Sequence, residues 1–163
     1  MEVVARWTGW IATTAILIAA LVPVVQRLRE GRRAPLGSPG VSAHVMAGFV
    51  VAALAFLHTV TVIPALGSSA AIGGGMPALV SAGLAFFLLV AHAGLGLQLR
   101  DPKLKARLRK RRMHVTTATL IAITVATHAA LLLRARQTSS FAEDQFRSRD
   151  PEDFPNTSSQ LSR

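Results

Sequence analysis

Four long runs of uncharged, mostly apolar residues constrain this chain more than any other feature of its sequence. Each run contains 19 to 24 residues, at 7–25, 44–63, 76–99 and 113–133. A helix needs about 20 apolar residues to cross the hydrocarbon core of a bilayer. A helix is also favoured in lipid because it satisfies its backbone hydrogen bonds within itself. The sequence therefore predicts an all-α protein, an integral membrane four-helix bundle with up-down topology.

The predicted transmembrane domain covers residues 1–136, and a polar extramembrane tail covers residues 137–163. The expected helices lie at about 7–25, 42–64, 76–99 and 113–134. Two alternatives are less favoured. A soluble bundle would place polar residues on its outer faces. A signal peptide would begin with a basic cluster, whereas Glu2 and Arg6 are the charges before the first run.

Basic residues concentrate in the first and third connections between the predicted helices. They are Arg27, Arg29, Arg32 and Arg33 in the first, and Arg100, Lys103, Lys105, Arg107, Arg109, Lys110, Arg111 and Arg112 in the third. Short basic loops stay in the cytoplasm, so both termini are expected on the non-cytoplasmic side, and the expected location is a bacterial inner membrane. The net charge of +10 is then explained by topology and membrane lipid headgroups, and no nucleic-acid partner is expected.

The chain contains no cysteine. This absence excludes disulfides, thiolate metal sites, iron–sulfur clusters and the covalent attachment of c-type haem. Any haem would therefore be held without a covalent bond to the chain.

Five histidines lie in or at the edge of the apolar runs, where ionisable residues are costly and are candidates for function. His44 and His58 are 14 residues apart in the second predicted helix, and His114 and His128 are 14 apart in the fourth. Fourteen residues make four turns at a 3.5-residue period, so the members of each pair share one face. They are separated by about 21 Å along the axis at about 1.5 Å per residue.

The second and fourth helices are expected to run in the same direction. His44 and His114 would then share a level near the cytoplasmic face, and His58 and His128 a level near the opposite face. Two facing imidazoles can bind one haem iron, so the spacing favours two haem sites. A proton relay, a metal path, chlorophyll ligation and ordinary hydrogen bonds between helices remain alternatives.

Three further residues are weaker candidates. His92 is interpreted as a polar neighbour of a haem or quinone, or as an alternative ligand, with plain packing as the other possibility. Arg111 and Arg112 precede His114 and are candidates for pairing with haem propionates, although topogenic charge explains them equally well. Small residues and threonines in the helices leave room for a macrocycle or bond a ligand ring, or serve ordinary packing: Ala43, Ala47, Gly48, Gly83, Gly94, Gly96, Thr116, Thr117, Thr119, Thr124 and Thr127.

Two stretches, SAHVMAGFVVAALAFLHTV and RRMHVTTATLIAITVATHAALLL, each place 13 residues between two histidines. They resemble the haem-bearing four-helix core of cytochrome b, the transmembrane region of ferric reductases and NADPH oxidases, and small bacterial diheme b-type cytochromes. The resemblance covers about residues 40–134. It implies that His44, His58, His114 and His128 are axial ligands. The chain lacks the additional helices of the larger cytochromes b and the flavin and NADPH domains of the oxidases.

The function expected from these residues is transmembrane electron transfer by a diheme b-type cytochrome that carries two haem b groups. A quinone is a further candidate ligand. The chain would be an electron-transfer subunit of a larger redox complex rather than a self-contained enzyme, docked partly through residues 138–163. The alternative is a non-redox accessory or pigment-binding membrane subunit. A transporter is less favoured because the predicted helices contain no acidic residue.

Overall fold

The computed structural model describes residues 2–31, 35, 37–66 and 74–147. These residues form four α-helices and one short 3₁₀ turn, Ile63–Ala65, and they include no strand. The helices are α1 Glu2–Glu30, α2 Pro39–Val62, α3 Gly75–Leu99 and α4 Arg107–Arg147. All four are long and apolar enough to cross a membrane. The prediction of an all-α chain with four such helices is confirmed.

Local sequence explains how α1 ends and α2 begins. The amide of Gly31 bonds the carbonyl of Arg27 at 3.1 Å, and Gly31 has a φ of 63°, a left-handed conformation that glycine adopts at low cost after a helix. The hydroxyl of Ser38 accepts a hydrogen bond from the amide of Val41 at 3.4 Å. Pro39 fills the first position of α2, where a missing amide hydrogen costs nothing. The connection between these helices is therefore short and well defined.

The observed helices extend beyond the predicted ones, and most of all at the end of α4. This helix continues from the expected end near residue 134 to Arg147. Polar residues with good helix propensity prolong it, and the hydroxyl of Thr138 bonds the carbonyl of Ala135 at 2.8 Å. The first part of the expected tail, residues 137–147, is thus helical. Residues 148–163 lie outside the described part.

Side-chain contacts fix the directions of α1 and α2. The ring of His44, near the start of α2, bonds the carbonyl of Ala19 in the second half of α1. His58, near the end of α2, contacts Thr8 near the start of α1. The two helices are therefore antiparallel neighbours.

The contacts between α3 and α4 show the same arrangement. His128 in α4 bonds the carbonyl of Ala78 at the start of α3, whereas His92 late in α3 contacts Thr117 early in α4. The two antiparallel pairs meet mainly where α2 faces α3. The chain therefore runs up and down through a four-helix bundle, with α2 and α4 parallel to each other.

The interior of the bundle is built from small residues. Ala12, Ala19, Ala78 and Ser81 are buried, together with the larger Val51, Leu95 and Ile121. Large apolar side chains instead point outward, as shown by exposures of 61% for Trp7, 72% for Phe87 and 79% for Leu28. Small residues at the contacts and apolar residues outside are typical of helices that associate within a bilayer.

Candidate functional site

All five histidines are half-buried within the bundle, at two levels. His44, His92 and His114 lie together at the end of the bundle that carries the basic loops, and we call them the basic-end cluster. His58 and His128 lie towards the other end, and we call them the opposite-end pair. The helices thus bring His44 near His114 and His58 near His128, each pair at its own level.

The basic-end cluster joins three helices. The ring centroids of His44 and His114 are 6.2 Å apart and the ring planes differ by 88°. His92 lies almost flat on His114, with a centroid separation of 3.7 Å and an angle of 15°. His92, which the sequence left without a partner, therefore belongs to the same level as the first predicted ligand pair.

The opposite-end pair is held by both outer helices. The Nδ1 atom of His58 lies 3.1 Å from Oγ1 of Thr8 in α1. The Nδ1 atom of His128 lies 2.9 Å from the carbonyl oxygen of Ala78 in α3. His58 is near enough to His128 for a charge on His128 to act on it. This level therefore brings together one histidine from α2 and one from α4.

Backbone carbonyls fix the tautomers of two of these histidines. Nδ1 of His44 lies 3.0 Å from the carbonyl oxygen of Ala19, and Nδ1 of His128 makes the equivalent contact with Ala78. A carbonyl oxygen can only accept a hydrogen bond, so Nδ1 carries the proton in both rings. The Nε2 atom of each neutral ring then keeps its lone pair, which is the state that a metal requires.

Threonine hydroxyls lead to the same tautomer in His58 and His92. Thr8 has carbonyl acceptors in its own helix at 2.9 and 3.0 Å, and Thr117 has one, the carbonyl of His114, at 2.9 Å. A hydroxyl has a single proton to donate. When that proton goes to the helix carbonyl, the oxygen accepts from the histidine Nδ1–H. The distances are 3.1 Å from His58 to Thr8 and 2.9 Å from His92 to Thr117.

His114 differs from the other four histidines. Its Nδ1 atom is buried and has no hydrogen-bond partner among the described residues. The flat face of His92 covers its ring, and a Cβ atom at Gly96 would lie 3.4 Å from its Cε1 atom. Packing rather than a hydrogen bond therefore holds His114.

Two glycines give space to histidine rings. A Cβ atom on Gly9 would stand 3.0 Å from Cε1 of His58, which is closer than a side chain tolerates without a shift. Gly96 plays the corresponding part for His114. By contrast, a Cβ atom at Gly48, Gly83 or Gly94 would meet no described atom within 4 Å beyond its own chain surroundings. Among the small residues singled out from the sequence, Gly96 is thus the one glycine seen against a histidine in the described part.

The geometry is compatible with haem between the paired histidines. A metal–imidazole bond is about 2 Å long and the ring centre lies about 1 Å beyond the nitrogen, so two axial rings have centroids about 6 Å apart. The separation between His44 and His114 is 6.2 Å. The described residues include no group of three or more donors suited to a metal ion held by the protein alone. Haem iron needs only two protein ligands, because the macrocycle supplies the others.

The basic loop is anchored beside the cluster. One guanidinium nitrogen of Arg107 donates to the carbonyl of Leu99 at 3.2 Å and another to the carbonyl of Asp101, while the ammonium group of Lys110 bonds Gln98. Arg111 and Arg112, the proposed propionate partners, are exposed one turn before His114 in α4. Their place at the same end as the cluster is compatible with either a propionate or a lipid headgroup.

A cavity of about 380 Å³ opens between α2 and the end of α3. Its lining is mainly apolar, with Ser42 and Arg100 as its polar members. The residues are Gly37, Val41, Ser42, Val45, Met46, Phe49 and Arg100. A cavity of this size accommodates a small organic ligand, and it lies on the helix that carries His44.

Sequence reasoning missed the contribution of α1 to the site. Thr8 is one of few polar residues in the first apolar run and Gly9 follows it, so their composition was visible. Their contact with His58 was not, because it depends on how α1 packs against α2. Comparison with protein-family models, curated proteins and solved structures finds no match for the chain. The site must therefore be interpreted from its own geometry.

Proposed function

We propose that this chain is an integral membrane cytochrome that binds two haem b groups and transfers electrons between the two faces of a bilayer. The observation that carries the proposal is the pairing of histidines from α2 and α4 at two levels. At the basic end the ring separation of 6.2 Å matches axial ligation of one iron. Haem b supplies a one-electron iron couple when bound.

The chain's own residues prepare the ligands. His44 and His114 would bind the iron at the basic end, and His58 and His128 the iron at the opposite end. Hydrogen bonds from Nδ1 hold His44, His58 and His128 with Nε2 available. Such bonds to a ligand histidine fix its orientation and increase its basicity. An interhelical hydrogen bond alone would explain each of these histidines singly, but it would not require two parallel pairs.

The two levels suit electron transfer through a membrane. His44 and His58 are 14 residues apart in α2, which is about 21 Å along a helix axis. That length covers most of a hydrocarbon core about 30 Å thick. Electrons could therefore pass from one face to the other through two sites held by a single bundle.

The simplest test is spectroscopic. Purified protein should show a b-type α band in its reduced-minus-oxidised spectrum, and a pyridine haemochrome assay should give about two haems per chain. A full-length, folded membrane protein without that band would disprove the proposal. It would favour the second candidate, a non-redox accessory or pigment-binding subunit, which a bound pigment at another wavelength would identify.

Membrane insertion is supported by the exposed apolar surface of the helices and by the position of the basic loops. Monomeric soluble proteins rarely expose such large apolar areas. The basic ends of α1 and α3 and the start of α4 lie at one end of the bundle, which is expected to face the cytoplasm of a bacterial cell. Both termini would then face the other side.

The orientation can be tested with single cysteines, since the natural chain has none. Lys103→Cys should react with an impermeant maleimide only from the cytoplasmic side, and Ser140→Cys only from the other side. The two variants are controls for each other. Reaction of both from the same side, or in the reverse order, would contradict the proposed orientation.

The end of α4 is proposed as a docking element for another subunit. This helix continues well beyond the apolar run, and Phe141 on it is 72% exposed. Exposed aromatic side chains are frequent anchors at interfaces. Deleting residues 138–163 should leave both haems bound but release the chain from its complex. Co-purification of the truncated chain at full stoichiometry would place the contact elsewhere.

A further inference from the structure

His114 is the one histidine of the proposed ligands whose Nδ1 atom lacks a hydrogen bond among the described residues. The other three donate to Ala19, Thr8 and Ala78. A ligand histidine without such a bond has no fixed ring orientation unless another contact supplies it. The two ends of the bundle therefore hold their ligands by different means.

His92 supplies that contact. Its ring stacks on His114 at 3.7 Å with only 15° between the planes. His92 is itself held by Thr117 Oγ1 at 2.9 Å, and the same oxygen donates to the backbone carbonyl of His114. On the other side, Gly96 leaves space that fits the ring closely. His114 is thus confined between a flat ring and a glycine.

We propose that His92 is a positioning residue, which orients His114 by stacking and makes the basic-end haem the one with the higher reduction potential. This inference rests on the function proposed above. A hydrogen bond from Nδ1 strengthens donation by a ligand histidine and stabilises ferric iron. Both ligands at the opposite end have such a bond, but only His44 has one at the basic end. Electrons consequently move downhill from the opposite-end haem to the basic-end haem.

The potential is tested in two single-haem proteins. His128→Ala should retain only the basic-end haem, and His44→Ala only the opposite-end haem. Redox titration should give the higher midpoint for His128→Ala. The reverse order, or equal midpoints, would overturn the assignment of direction. A wild-type chain without haem would instead refute the proposed function before either variant is needed.

The positioning role is tested through the ferric electron paramagnetic resonance signal, which reports the angle between the two axial imidazole planes. The near-perpendicular rings of His44 and His114 should give a highly anisotropic low-spin signal. His92→Ala should shift this signal or lose the basic-end haem, whereas His92→Phe should preserve both because its flat ring can still stack. Gly94→Ala is the matched control in α3, since an added Cβ would meet no described atom within 4 Å beyond its own helix.

Two results would overturn the positioning role. One is a wild-type signal and full haem content in His92→Ala, which would show that His114 needs no stacking partner. The other is equal loss of the basic-end haem in His92→Ala and His92→Phe. That result would show that the hydrogen bond to Thr117, rather than the stacked ring, is what matters.

Discussion

The two ends of the bundle place histidines with the same spacing in different surroundings. At the opposite end, His58 and His128 each donate a hydrogen bond from Nδ1. At the basic end, His44 does so, whereas His114 is stacked by a third histidine and has no such partner among the described residues. Spacing along a helix therefore sets the level of a ligand, and the neighbouring helix sets its chemistry.

A division of roles between the helices follows from this comparison. The four proposed ligands come from α2 and α4, whereas the groups that orient them come from α1 and α3. Ala19 and Thr8 in α1 hold the two histidines of α2, while Ala78 and His92 in α3 hold those of α4. Each antiparallel helix pair thus contains one ligand helix and one orienting helix.

The largest expected effect is the loss of one haem when a ligand is removed. His58→Ala or His128→Ala should lower the haem content from about two to about one per chain and leave the basic-end haem. His44→Ala or His114→Ala should leave the other haem. The reason is that a single remaining imidazole binds iron far more weakly than two on opposite sides. The pyridine haemochrome assay measures the content.

Thr119→Ala is the control for these variants. Its hydroxyl bonds the carbonyl of Val115 in the same helix and its side chain is exposed, so both haems should remain. Retention of two haems in any of the four histidine variants would contradict that ligand assignment.

Much of this comparison was accessible from the sequence, and part of it was not. The uncharged runs fixed the number of helices, and the 14-residue intervals placed His44 with His58 and His114 with His128 on common faces. The hydrogen bonds from Nδ1 could not be predicted, because a carbonyl such as that of Ala19 is present in every residue. Which carbonyl meets a ring depends on the register between two helices, and packing of small residues sets that register.

The position of His92 shows a nearer miss. It precedes the end of α3 by seven residues, and His114 follows the start of α4 by seven. Antiparallel helices joined by a short loop bring such positions to the same level, so their proximity could have been expected. The stacked geometry could not, since it depends on side-chain rotamers. The end of α4 was missed because an apolar run marks the thickness of a membrane and not the length of a helix.

A second prediction uses the glycines to compare the ends. Gly9→Ala should displace His58, because the new Cβ would stand 3.0 Å from Cε1, and should lower occupancy of the opposite-end haem. Gly96→Ala should have a smaller effect on the basic-end haem, since its Cβ would lie 3.4 Å from His114. Haem content per chain and the spectrum of each single-haem protein measure the difference.

Gly48→Ala in α2 is the control for this pair, because its Cβ would meet no described atom within 4 Å. Alanine is favoured over glycine in a helix interior by about 1 kcal/mol. Any loss in the Gly9 variant therefore occurs against a gain in helix stability. An equal haem content in Gly9→Ala and Gly48→Ala would show that His58 does not need this space.

A third prediction removes the hydrogen bond that distinguishes the opposite end. Thr8→Val keeps the shape of the side chain but leaves the Nδ1–H group of His58 without its acceptor. Loss of such a partner costs roughly 10- to 100-fold in metal affinity, and the midpoint of the opposite-end haem should rise. The two haem potentials should therefore move closer together in a redox titration.

Thr13→Val tests whether the change in potential is specific. Thr13 is also in α1, but its hydroxyl bonds the carbonyl of Gly9 within the helix at 2.9 Å. This variant should retain both midpoints. If Thr8→Val and Thr13→Val give the same potentials, the bond to His58 does not set the difference between the two ends.

The smallest expected effect concerns the cavity that accompanies the basic end. Arg100 and Ser42 provide the polar part of its lining, whereas Val41, Val45 and Phe49 provide apolar contacts. A quinone has carbonyl oxygens that accept hydrogen bonds and an apolar tail, so both parts of the cavity suit it. Arg100→Gln should weaken binding of a short-chain quinone about fivefold, which corresponds to roughly 1 kcal/mol for one hydrogen bond. Binding is measured from the absorption change of the basic-end haem, and Lys103→Gln is the control because it removes a charge from the same loop outside the cavity. Equal affinities in the two variants would show that the effect is one of loop charge, and a response confined to the opposite-end haem would move the quinone site to the other end of the bundle.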